Sequence, residues 1–147
     1  MEPLSITTGC VALISTIGKT SFVITSFVRD CRAARHDLDA ISRELTSLET
    51  IVTLLKEDTA NTKGQAIPET LQEQITSIVS NCSQVLTDLD NLVQKHNGAT
   101  MNNAVRWSMT GKGDAAKLRS NLEAHRGALN LALELLTMYV CPPKTIV

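Results

Sequence analysis

The chain has 147 residues, enough for one domain with its own core. A formal net charge of −1 and a pI near 6.3 exclude general nucleic-acid binding, which needs a basic excess. Apolar residues make up 43% and aromatics only 3%, so the core must be aliphatic, a composition suited to helix packing.

The opening stretch, "PLSITTGCVALISTIGKTSFVITSFV", carries a single charge, Lys19. At 100° per residue, Ile6, Cys10, Leu13, Ile17, Ile24 and Val28 fall within about 60° of arc, with Ser21 filling the gap. Ser5, Thr8, Ser15, Thr16, Lys19 and Ser26 lie opposite, and Leu4, Val11 and Phe22 form a secondary flank. The pattern predicts a weakly polar amphipathic helix over about 4–28. Three other readings fail. A signal peptide needs a positive n-region, and this chain opens Met1-Glu2-Pro3. A phosphate loop needs glycine where Leu13 precedes Gly18-Lys19-Thr20, and a strand before it. A single membrane span needs roughly 20 apolar residues. The uncharged run from Pro3 to Gly18 covers only about 24 Å. Including Lys19 at the centre costs about 2.5–3.5 kcal/mol, and nine Ser and Thr residues between Leu4 and Val28 add to the difficulty. Insertion of several copies, with the Ser/Thr/Lys19 faces turned toward one another or water, is physically easier.

Next, Cys31, Ala34, Leu38, Ile41, Leu45, Leu48, Val52 and Leu55 follow a strict 3-4 alternation. They predict one helix over about 30–57 with charged outer faces. A polar segment ends at Pro68, which is favoured in a first helical turn. Leu71, Ile75, Ile78, Cys82, Val85, Leu89 and Leu92 then mark a helix over about 68–96, stopped at Asn97-Gly98. A short helix is expected over about 103–109, then a break at Gly111-Lys112-Gly113 with Asp114 as N-cap of the last helix. That helix, about 114–140, carries Leu118, Leu122, His125, Leu129, Ala132, Leu136 and Val140, widened by Leu131, Leu133 and Leu135. Pro142-Pro143 closes it. The expected fold is all-α: an antiparallel four-helix bundle over 1–140, with 141–147 a tail or the start of a linker.

Cys10, Cys31, Cys82 and Cys141 show no C-x-x-C spacing, and three fall on apolar seams, so they read as reduced core residues of a cytoplasmic protein. No H-E-x-x-H, G-x-S-x-G or clustered acid pair is present. The reading is a non-enzyme with no cofactor, no metal and no small-molecule substrate. His125, on the last seam, reads as a packed core residue, and His96 stands at a helix end. From Lys95 to Arg126 the chain is locally basic. Arg106, Lys112, Lys117, Arg119 and Arg126, with Trp107 among them, form a candidate surface for anionic lipid or a partner. The bland alternative is a solvated face with Trp107 as a core anchor.

Two blocks carry a family resemblance. One is "MEPLSITTGCVALISTIGKTS". The other is W-x-M-x-G-x-x-D-x-x-K-L-R-x-x-L-E-x-H, supplied by Trp107, Met109, Gly111, Asp114, Lys117, Leu118, Arg119, Leu122, Glu123 and His125. With "ISRELTSLETIVTLL" and "IPETLQEQITSIVSNCSQVL" between them, they resemble a fungal N-terminal domain that heads many NLR-like (STAND) and ankyrin-repeat proteins. The domain is also named after the azaphilone pigment cluster protein L and is close to the HeLo-like group. The resemblance implies a cell-death or incompatibility effector. It would homo-oligomerise when an NLR, ankyrin or prion-like module, in the same chain or another, triggers it. It would then reach the plasma membrane lipids through its first helix. Carried to this sequence, the membrane-active residues would be Leu4, Ile6, Cys10, Val11, Leu13, Ile14, Ile17, Lys19, Phe22 and Ile24. The alternative is a soluble self-association or adaptor module without membrane activity.

Overall fold

The computed structural model describes residues 3–62, 67–97 and 103–140, and every regular element among them is helical. Helix α1 spans Pro3–Asp30, α2 Arg35–Ala60, α3 Glu69–Asn97, a short α4 Asn103–Arg106, and α5 Lys112–Val140. The side chains of Leu4 and Val140, and the tail from Cys141, lie outside the described residues.

The predicted seams are the core. All eight residues from Cys31 to Leu55 are buried, as are Leu71, Ile75, Cys82, Val85, Leu89 and Leu92 from the third seam and Leu122, Leu129, Ala132 and Leu136 from the last. Ile78 and Leu118 are half-buried at its edge. The boundary between the first two helices differs from expectation. Cys31 has φ −130° and ψ 87°, which breaks the helix, and a 3-10 turn over Arg32–Ala34 re-enters it. The Cys31 N–H still bonds the Phe27 carbonyl at 2.8 Å, and the Ala34 N–H bonds the Cys31 carbonyl at 3.1 Å. The chain therefore reverses within four residues without leaving its seam in water. At the start of α3, the Gln72 amide nitrogen donates to the Ile67 carbonyl at 2.8 Å.

Helix α1 packs on α2 and α3, and α5 packs on the same two, so α1 and α5 occupy one diagonal and α2 and α3 the other. Helices α1 and α2 run antiparallel, as do α3 and α5. The neighbours α1 and α3 run parallel: a Cβ at Gly9 would touch Val79 at 3.6 Å, and the end of each helix meets Trp107. Helices α2 and α5 are parallel too, tied by Arg126–Glu44 at 2.6 Å and Thr137–Asp58 at 2.9 Å. Chain-adjacent pairs are antiparallel as expected; the other two contacts are parallel, because the α2–α3 connection joins diagonal corners.

The first helix is rotated slightly from the predicted seam. Ile6, Cys10, Leu13, Ile17 and Ile24 are buried, but the gap is filled by Thr20 and not Ser21, and Phe27 is buried while Val28 is only half-buried. The steps of four and three that begin at Ile6 continue through Thr20 and Phe27, so these two take the inner positions. The Thr20 Oγ1 is buried and finds no acceptor or donor among the described residues. A buried orphan hydroxyl costs about 1–3 kcal/mol. Replacing Thr20 by the near-isosteric valine should therefore raise the unfolding free energy by about 1 kcal/mol in a urea titration.

Candidate functional site

One end of the bundle gathers the end of α1, the start of α2, the end of α3 and the entry to α5. Trp107 lies at their junction, 1% exposed. Its indole N–H donates to Asp37 Oδ2 on α2 at 2.9 Å. Its ring lies 5.6 Å from Phe27 of α1 and 5.4 Å from His96 of α3, the latter edge-on. Residues Trp107–Gly111 form a π-helical turn, which joins α4 to α5 without a break. Gly111 explains how the turn accommodates the indole. A Cβ there would sit 2.4 Å from Trp107 Cε3, so only glycine leaves room for the ring.

The expected break at Gly111-Lys112-Gly113 is thus corrected: Asp114 lies inside the first turn of α5 and caps nothing. Trp107, grouped with the candidate surface though sequence reading favoured it as a core anchor, is buried: the π turn directs it inward, into the anchor role and away from the surface. His96, read as a mere helix end, is fully buried, whereas His125 on the predicted seam is half-buried. The sequence signal for the junction was Gly111 four residues after Trp107, one helical turn on.

Charge is polarised along the bundle. Around the Trp107 junction stand Arg29, Arg32, Arg35, Lys95, Arg106 and Lys112, all exposed, against Asp30, Asp37, Asp39 and Asp114. Arg29, Arg32 and Arg35 line one groove with Asp39, which approaches Arg35 at 3.7 Å. Met109 and Val105 project there as well, 78% and 53% exposed. Among the described residues, the opposite end carries Glu57, Asp58, Glu69 and Glu73 against Lys56. Of the other predicted surface residues, Lys117 is exposed, but Arg119 is paired with Glu123 at 3.1 Å and Arg126 with Glu44. Sequence reading missed Arg29, Arg32 and Arg35, which lie far from the basic segment in the chain and join it only through the α1–α2 reversal.

Burial first, then Arg106 and Lys95, pushes the His96 imidazole below its ordinary 6.5, with Asp114 acting the other way. The unfolded chain therefore takes up this proton more readily than the folded one. The stability supported by the neutral ring is complete above about pH 6.5 and is lost as the pH falls below that value toward the folded-state one. Denaturant titrations across this range should show the decline, and His96→Gln should flatten it.

Helix α1 presents a different surface. The most apolar 18-residue window between Ser5 and Asp30 has a mean hydropathy of 1.6, so the helix is by length and composition long and apolar enough to cross a membrane, and only 28% of that window is buried. Of the predicted membrane-active residues, Ile6, Cys10, Leu13, Ile17 and Ile24 face the core and Ile14 is half-buried. Val11, Lys19 and Phe22 face solvent, Phe22 at 74%. Apart from Lys19, the exposed residues from Ser5 to Thr25 are uncharged. Burial raises the Cys10 and Cys82 thiols to about 11, so both are poor nucleophiles. No cluster of metal-ligating side chains occurs among the described residues.

The molecule is thus an all-α bundle with an apolar first helix and one basic end. The chain belongs to the family described as the N-terminal domain of pigment biosynthesis cluster protein PigL, whose model matches residues 1–142. No curated protein and no solved structure matches the chain.

Proposed function

We propose that this is a non-enzymatic effector domain that docks its basic end on anionic lipid and, when clustered, gives up α1 to the membrane. The observation that carries the reading is the Trp107 end itself, where exposed Met109 and Val105 stand among Arg29, Arg32, Arg106 and Lys112. Basic side chains gain about 1 kcal/mol each near an anionic surface, and apolar tips add insertion into the headgroup layer. Helix α1 fits the second step. It is a corner helix held by two neighbours, its outer face from Ser5 to Thr25 carries one charge, and its inner face holds the Thr20 hydroxyl, unpartnered among the described residues. Within the NLR-like setting that the sequence resembles, the clustering would come from a receptor module in the same or another chain. The outcome would be cell death or incompatibility at the plasma membrane.

A tether tests the release of α1. Gly9 and Val79 face each other across the α1–α3 contact, a Cβ at Gly9 lying 3.6 Å from Val79 Cγ1. Cysteines placed there are expected to cross-link on oxidation, which non-reducing electrophoresis checks, and the raised Cys10 and Cys82 thiols should not compete. With the G9C/V79C chain clustered by a C-terminal multimerising tag, the oxidised form should not permeabilise anionic vesicles, and reduction should restore leakage. Equal leakage in both states refutes release.

A further inference from the structure

Helix α5 turns an unpartnered face to solvent. Leu131, Leu135 and Met138 are 59%, 42% and 59% exposed there. Toward the start of the helix the same face carries Gly113, Ala116, Ser120, Ala124 and Gly127, all exposed. At 100° per residue these eight lie within an arc of about 100°. Nothing lies within 4 Å of where a Cβ would stand at Gly113 or Gly127. Two charges interrupt the face, Lys117 and Glu134, and neither forms an ion pair among the described residues.

We propose that this face pairs with the same face of a second copy, in an antiparallel, two-fold arrangement. The large residues are at one end and the small ones at the other, and their spacing is self-complementary. A two-fold axis midway between Glu123–Ala124 and Gly127–Ala128 sets Leu131 opposite Ser120 of the second copy. The same axis sets Leu135 opposite Ala116, Met138 opposite Gly113, and Gly127 opposite Ala124. Each large side chain meets a small one, so the helices can approach to the short end of the usual 8–10 Å separation. The same register brings Lys117 level with Glu134 of the second copy, twice by symmetry. A parallel pairing would instead stack leucine on leucine, leave the glycines gaping and place like charges together. Charge complementarity and size complementarity thus select one register and one occupant, a second copy of this chain.

The pairing is independent of the membrane reading and is measured without lipid. Sedimentation equilibrium of the intact chain over a wide concentration series should show a monomer–dimer equilibrium. K117E or E134K alone should weaken it about tenfold or more, and the double swap K117E/E134K should recover most of that loss. Gly127→Glu should give a monomer. That variant should fold, since the added side chain meets open space and glutamate is the better helix former, and its helical circular dichroism checks this. A chain that stays monomeric throughout overturns the proposal. So does a dimer indifferent to Gly127→Glu, or a double swap no tighter than the single variants. Vesicle binding by a monomer that Gly127→Glu abolishes would assign the face to lipid and likewise overturn it.

Discussion

Replacing Trp107 by alanine lowers the unfolding free energy by about 4 kcal/mol, the size expected for removing a large buried aromatic and leaving a cavity. The loss falls at a junction where one side chain touches three helices: Phe27 on α1, Asp37 on α2 and His96 on α3. The Asp37 carboxylate then loses a partner that reached it across 70 residues of chain. A double-mutant cycle isolates the packing argument. Gly111→Ala in the native chain forces a methyl into the indole and costs about 1–3 kcal/mol. Once Trp107 is alanine the obstruction is gone, and the same change should become stabilising by about 0.5–1 kcal/mol, the ordinary preference for alanine in a helix. Urea titrations of the four chains give the sign directly. If Gly111→Ala is destabilising in both backgrounds, the glycine is not there for the tryptophan.

Neutralising Arg32, Arg106 and Lys112 together to glutamine weakens binding to anionic vesicles by about 3 kcal/mol, roughly two orders of magnitude. All three are exposed and none has an ion pair among the described residues, so folding stability should change little. The native chain's binding should fall as salt is raised, since exposed charges are screened over about 10 Å at 0.1 M. Neutralising Glu69 and Glu73 at the other end is the control and should not weaken binding. Flotation with vesicles of stated anionic content measures all of these. Unchanged binding in the triple variant would remove the basic end from the mechanism.

These two predictions rest on features that differ in how far they could be read from the chain. The seams from Cys31 to Leu55 and from Leu71 to Leu92 were legible because helical period and burial coincide: a residue at the right spacing has only one way to leave water. The apolar character of α1 was legible for the same reason, down to its single lysine. The exceptions Thr20, Phe27 and His96 stand at the next 3-4 positions of their own seams, after Ile17, Ile24 and Leu92; two were passed over as polar, and Phe27 competed with Val28. Periodicity within one helix carries no information about a partner distant in sequence. Trp107 is the clearest case. Its basic neighbours suggested a surface, yet a π turn shifts its direction, and Gly111 makes the inward position sterically open.

By itself, then, the sequence determined the number of long helices, the aliphatic core faces, the weakly charged first helix and the family. All of these follow from local composition and spacing. Only the tertiary structure decided which charges stand together. The α1–α2 reversal brings Arg29, Arg32 and Arg35 to the same end as Lys95, Arg106 and Lys112, while Glu57 and Asp58 of α2 and Glu69 and Glu73 of α3 stand at the other. It also decided which apolar residues of α5 were surplus to the core, leaving Leu131, Leu135 and Met138 outside. The physical reason is that each helix in this ring touches just two others. A stripe wider than those two contacts has no third neighbour to cover it.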